Sequence, residues 1–276
     1  MWRRAAIVSA VVLVPGPSLA TPAPRIASMN VCTDQLLLSL ADPGQILGLS
    51  RYARDDWQSF AAGDARKFRV LSGGAEDILV LKPDVVAASL FDKRSTRELV
   101  RQNGVHLAEF ALPRTMAEVK AQIRRMGEIT GHDDRADAEI ARLDTAVRHA
   151  RAELANRRER VLPLSRRGWV SGRDSLIGTL LLESGLHNAA DELGVADGGF
   201  VSLEGIIALK PDLLLLSEEG DRAEDEGRAF LLHPALELLY PPDKRIVIPE
   251  RLTVCGGVML VDALDRLVAE LKRVVK

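Results

Sequence analysis

The sequence predicts an α/β protein of two similar lobes, each a parallel-type sheet flanked by helices, joined by one long helix. Three observations carry that expectation. Residues 76–89, EDILVLKPDVVAAS, are echoed by residues 204–217, EGIIALKPDLLLLS. Apolar runs of strand length alternate with helical patterns around each copy. A long, charged, amphipathic segment separates the copies. Repetition of a whole helix–turn–strand unit argues for two lobes rather than one continuous sheet.

In chain order, the first twenty residues read as a secretory signal. MWRR is a basic start, AAIVSAVVLV an apolar stretch, and Ser18 and Ala20 the small residues before a cleavage point after Ala20. The apolar stretch is too short to span a bilayer. The expected division is therefore 1–20 signal peptide, 21–112 N-terminal lobe, 113–160 helical spine and 161–276 C-terminal lobe. In the N-terminal lobe, strands are expected near 25–29, 46–49 and 105–110, with helices near 33–41 and 93–103. In each repeat the stretch from glutamate to leucine is a short helix. Pro83 and Pro211 end it, because proline lacks an N–H and restricts the residue before it. The uninterrupted apolar runs VVAAS and LLLLS then read as strands buried on both faces. Thr115 with Glu118 forms a capping box at the start of the spine. From Asp133 to about Arg160, apolar residues at Ile140, Leu143, Val147 and Leu154 predict one helix of about 27 residues, roughly 40 Å long. Strands near 168–171 and 245–248 and helices near 175–185 and 257–274 complete the C-terminal lobe.

Composition narrows the function classes. The chain carries 37 basic and 39 acidic residues, a formal charge of −2, which speaks against nucleic acid as a partner. Two cysteines allow at most one disulfide within the chain, so this is no disulfide-built scaffold. No G-x-S-x-G elbow, P-loop or G-x-G-x-x-G follows a strand, and no catalytic residue is assigned. The five histidines, His106, His132, His149, His187 and His233, are scattered without paired spacing, so no bare-metal site and no cofactor are expected.

With these elements in place, the chain resembles the periplasmic solute-binding proteins that serve ABC importers of cobalamin and ferric siderophores. The likeness lies in RIASMNVCTDQLLLSLADPGQILGLS, the two E-x5-K-P-D elements, GRDSLIGTLLLESGLHNAA and the closing RIVIPERLTVCGGVMLVDAL. It implies two lobes joined by a single helix, with the ligand cleft between the lobes and limited closure about it. It also implies a monomer that carries a corrinoid or iron chelate through the periplasm to an ABC permease dimer in the inner membrane. In that family one outer-surface acid on each lobe docks on the permease, and the matching positions here are Glu76 and Glu204. An alternative is a periplasmic enzyme handling tetrapyrroles or corrinoids, or a ligand-sensing domain of the same fold.

Ligands of such folds sit at loops after the carboxyl ends of strands. Those loops are 30–34, 51–57, 72–75, 89–94, 169–174, 198–202 and 252–257. Tyr52, Trp57, Trp169 and Phe200 fall in them and suit a large flat ligand, and Arg51, Arg54, Arg94 and Arg173 suit its acidic groups. The sequence lacks a tryptophan in SGGAE, where cobalamin binders of the family often place one, and has no clear arginine–tyrosine pair of the ferric-hydroxamate kind. Cys32 and Cys255 lie in the first loop of one lobe and the last loop of the other. They are read either as a disulfide or as thiols lining the pocket.

Overall fold

The computed structural model describes residues 23–217 and 226–274; the expected signal peptide lies outside them. The N-terminal lobe runs β1 (Ile26–Ser28), α1 (Val31–Leu40), β2 (Ile46–Ser50), α2 (Ala62–Ala65), β3 (Val70–Leu71), α3 (Ala75–Leu79), β4 (Val85–Ser89), α4 (Arg94–Gln102) and β5 (His106–Phe110). Its strands lie in the order β3-β2-β1-β4-β5, and every pairing is parallel. Helix α1 starts two residues earlier than its apolar pattern suggested. Asn30 supplies the reason: its side-chain oxygen accepts from the Cys32 N–H at 2.9 Å and caps the first turn.

Two helices follow, α5 (Met116–Thr130) and α6 (Asp133–Glu153). Thr115 and Glu118 form the expected capping box at the start of α5. Gly131, at φ 75°, closes α5 in the left-handed conformation that glycine adopts without strain. The chain then doubles back, so α6 lies antiparallel to α5, with Gly127 against Ala136 and Lys120 paired with Asp144. The connecting helix α6 is shorter than its charge pattern predicted. It ends at Glu153 because Leu154 turns into the core and Arg160 already begins a strand.

The C-terminal lobe runs β6 (Arg160–Ser165), β7 (Trp169–Val170), α7 (Leu176–Glu183), β8 (His187–Asn188), β9 (Gly199–Phe200), α8 (Leu203–Leu209), β10 (Leu213–Leu216), α9 (Glu226–Ala229), α10 (Pro234–Leu239), β11 (Arg245–Val247) and α11 (Leu260–Val274). Its sheet order is β11-β10-β6-β7-β9, with β8 also on β6. Here the parallel expectation holds only in part. Strands β6, β8, β10 and β11 are parallel, but β7 and β9 join antiparallel. A tight turn forces the reversal, with Arg167 at φ 58° and Gly168 at φ 77° between β6 and β7. A Cβ on Gly168 would stand 2.4 Å from the Val201 carbonyl, so the turn accepts no larger residue.

The core explains how the lobes are held together. One buried cluster runs from Ile26, Leu36 and Leu49 through Ile123 and Leu143 to Val161, Leu180, Leu215 and Leu264. The inner faces of both sheets therefore pack on one shared layer of helices. Separate clusters cover the outer faces, around Ile78 and Val100 in one lobe and Ile206 and Leu236 in the other. Among the described residues no helix is long and apolar enough to cross a membrane.

The repeated L-K-P-D has a common structural role. Asp84 and Asp212 each accept from the backbone N–H that opens a central strand, Arg25 for β1 and Arg160 for β6, both at 2.7 Å. In return, the side chains of Arg25 and Arg160 donate to carbonyls where each chain leaves its helix, at Leu81 and Lys82 just past α3 and at Leu209 and Lys210 at the end of α8. Lys82 and Lys210, at φ 50° and 49°, turn each chain out of its helix into the proline. The motif thus ties a helix end to a strand start twice over.

Candidate functional site

In a parallel sheet all carboxyl ends point to one edge, and the loops that follow them converge. In the N-terminal lobe those loops line a cavity of about 180 Å3. Met29 comes from β1, Arg51 and Tyr52 from β2, Ser72 and Gly73 from β3, and Phe91, Asp92 and Lys93 from β4. Arg51 lies over the Tyr52 ring at 4.7 Å and also donates to its phenol oxygen at 2.6 Å. Phe91 is 80% exposed, an unusual position for so apolar a ring. Asp92 accepts from the Ser89 N–H at 2.7 Å and from the Asn30 amide at 3.2 Å. Partial burial still pushes its carboxyl above the usual range.

The C-terminal lobe offers a second cavity, of about 320 Å3, at the matching edge. Ser165 ends β6, Ser217 follows β10, and Ile248 and Glu250 follow β11; Ser171, Ser175, Thr253 and Val254 close the sides. The hydroxyl of Ser175 is already engaged as the cap of α7, accepting from Gly178. This wall is rich in hydroxyls, with Arg166 and aliphatic side chains between them, and among the described residues it holds no aromatic ring. Two aromatics of this lobe sit beside it: Trp169 and Phe200 pair across β7 and β9 and meet edge-to-face at 5.1 Å. Ser165, the neighbour of Trp169 on β6, lines the cavity itself.

Cys32 and Cys255 are bonded to each other, with Cα atoms 5.2 Å apart. The alternative of free thiols lining a pocket is thereby corrected, since neither sulfur is available to a ligand. Cys255 directly follows Val254 of the second cavity, and Cys32 stands three residues beyond Met29 of the first. The covalent link therefore joins chain segments that adjoin the linings of the two cavities.

Of the aromatic candidates, only Tyr52 lines a described cavity. Trp57 is exposed, its N–H bonded to the Asp55 carboxylate at 2.8 Å, and it lies outside both linings. Among the arginines, Arg51 lines a cavity, while Arg54 turns to the Phe68 carbonyl at 2.6 Å. Sequence reading missed Phe91, although loop 89–94 was already marked. It also missed Asp34, the one charged residue on α1, which is fully buried. Glu76 and Glu204 face solvent in the first turns of α3 and α8, each two residues before a fully buried isoleucine, Ile78 and Ile206. Its own backbone N–H and the Ser202 hydroxyl hold the Glu204 carboxyl below the usual range. Among the described residues no cluster of three or more His, Cys, Asp or Glu side chains is placed to hold a metal ion.

Solved structures with this fold include the apo form of the periplasmic heme-binding protein RhuT from Roseiflexus sp. RS-1, at 22% identity, with a TM-score of 0.72, over 92% of this chain and 100% of that one. The periplasmic heme-binding protein HutB of Vibrio cholerae matches at 19% identity and a TM-score of 0.72, over 90% of this chain and 98% of that one. A protein of an ABC-type Fe3+-hydroxamate transport system from Saccharomonospora viridis matches at 18% identity and a TM-score of 0.68, over 91% and 93%. No curated protein matches the sequence. The family model described as periplasmic binding protein matches residues 26–200, well over half of the sequence. With the two sheets and the cavities at their edges, this places the chain in the periplasmic binding protein family.

Proposed function

We propose that the protein is the periplasmic substrate-binding component of an ABC importer and carries a flat, metal-bearing ligand of the tetrapyrrole or ferric-chelate class. The observation that carries this reading is the pair of cavities at the carboxyl edges of both sheets, one walled by exposed aromatic rings and one by hydroxyls. A ligand with an apolar face and a polar rim satisfies both walls. Among such ligands haem is the first to test. Tyr52 offers a phenol oxygen, a known donor to haem iron, and Arg51 and Lys93 beside it suit acidic side groups. RhuT and HutB, which share the fold, are described as heme-binding. The corrinoid and ferric-siderophore readings remain members of the same ligand class.

The deciding experiment is native mass spectrometry with absorption spectroscopy on protein taken from its own periplasm, followed by titration with hemin. A bound haem, corrinoid or ferric chelate each gives a distinct mass and band. Tight binding of a sugar, amino acid or peptide instead would overturn the ligand class. Delivery is assigned to Glu76 and Glu204, which sit at matched places on the two lobes and suit a two-fold permease. Exchanging both for lysine should bring uptake to background and leave ligand affinity unchanged. Lost affinity would show that these residues belong to the ligand site.

A further inference from the structure

Asp34 stands four residues past the cap of α1 and is sealed from solvent. A carboxyl group in that position is costly unless its hydrogen bonds are satisfied. Its two oxygens turn to the end of β2. One accepts from the Ser50 N–H at 3.0 Å, and the other accepts from the Ser50 hydroxyl at 2.5 Å. That hydroxyl in turn accepts from the Tyr52 N–H at 3.2 Å. Two hydrogen bonds thus connect a buried carboxyl to the backbone of the aromatic residue that lines the cavity.

The surroundings leave the carboxyl little else to do. From β1 comes Ser28, a neutral hydroxyl that hydrogen-bonds the carboxyl and also lies 2.8 Å from the Thr33 hydroxyl; from β2 comes Ser50. From the loop after β4 comes Asp92, a like charge that is itself tied to Asn30. The charge that acts on Asp34 is that of Asp92, and burial dominates its titration. In the other lobe the fourth residue past the cap of α7 is Thr179, whose hydroxyl donates to the Arg114 carbonyl. A neutral side chain therefore suffices at the matching helix position, and the charge at Asp34 is not a requirement of the fold.

We propose that Asp34 is a positioning residue for ligand binding, fixing the Ser50 hydroxyl and through it the Tyr52 backbone at the wall of the cavity. This rests on the reading of Tyr52 as a residue that touches the ligand. Holding the loop in its bound geometry removes ordering that the ligand would otherwise have to impose.

The test compares wild type, Asp34→Asn, Ser50→Ala and the double variant. Two readouts are taken: hydrogen exchange at the Tyr52 amide in the ligand-free protein, and affinity for hemin. Each single variant should lower Tyr52 amide protection and weaken hemin binding by about tenfold, the scale of one lost hydrogen bond. The double variant should lose no more than either single one, because both break the same chain. Ser50→Thr, which keeps the hydroxyl, should restore both readouts. Unchanged Tyr52 protection in Asp34→Asn overturns the proposal, as do additive losses in the double variant. Tyr52→Ala separates the two readings. If it binds hemin as well as wild type, or if wild type binds none, the ligand assignment fails while exchange at Tyr52 still decides the role of Asp34.

Discussion

The two lobes are alike on the outside and unlike on the inside. Both carry an exposed glutamate in the first turn of a short helix, a buried isoleucine two residues later, and an Asp–Arg clamp onto the start of a central strand. At the cavities the likeness ends. The N-terminal wall is all-parallel in origin, aromatic, and backed by a buried carboxyl. The C-terminal wall stands beside the antiparallel strands β7 and β9 and is rich in hydroxyls. The difference teaches where each constraint acts. On the proposed function, a docking surface that meets a two-fold permease would keep the repeat, whereas a ligand with two different sides would pull the walls apart.

The largest expected effect tests whether the lobes behave as one body. The Cys32–Cys255 bond spans a sequence separation of 223, and the chain-entropy model gives a stabilisation on the order of 5 kcal/mol for a loop of that size. The shared core layer couples the lobes as well. Replacing both cysteines with serine should lower the denaturation midpoint strongly and separate the unfolding of the two lobes, followed by tryptophan fluorescence from Trp57 in one lobe and Trp169 in the other. Coincident transitions at the wild-type midpoint would mean that the helical layer alone unites them.

A smaller effect should fall on one lobe only. Burial pushes the Asp34 carboxyl up to about 7 from 3.8, against the hydrogen bonds of Ser28 and Ser50. Because the folded value is raised, the protonated form favours folding. Its contribution is complete below pH 4 and is lost as pH rises through 7. The limiting size is on the order of 4 kcal/mol, reached only if the unfolded chain titrates normally. The stability of the N-terminal lobe should therefore decline between pH 4 and 7, and Asp34→Asn should flatten that slope. An unchanged slope in the variant would assign the pH dependence to other groups.

Much of the scaffold was legible in the sequence, because periodicity and proline report on local backbone. The repeat located α3, β4, α8 and β10, and the capping box at Thr115 located α5. The end of α6 was not legible. Its charge pattern runs smoothly to Arg160, and only pairing with β10 turns VLPLS into a strand. The reversal at Arg167–Gly168 was equally hidden, since R-R-G announces a turn but not the direction of the next strand. Within the site, loop positions followed from topology, so Tyr52 was found. Asp34 was not, because helical spacing places a side chain on the inner face without saying whether a partner waits there. The disulfide stayed one of two readings for the same reason, as its formation depends on a distance across lobes.

The smallest effect concerns the clamps, where the lobes look most alike. Asp84→Asn and Asp212→Asn each weaken one charge-assisted bond to a strand-opening N–H, and both should cost about 1 kcal/mol. The arginines should differ. Arg25 reaches its helix carbonyls at 3.1 and 3.5 Å, with a guanidinium otherwise in solvent. Arg160 reaches its own at 2.8 and 3.0 Å and also grips Glu192 with two bonds, at 2.8 and 2.6 Å. That bidentate partner, the first cause of its raised pKa, holds the side chain in place before it meets the helix. Arg160→Ala should therefore destabilise by roughly 1 kcal/mol more than Arg25→Ala, an increment kept modest by solvent screening of an exposed pair. Glu192→Gln should remove most of that difference. Equal losses for the two arginines, measured by urea denaturation, would mean that the clamp works through the aspartates alone and that the duplication is complete down to its energetics.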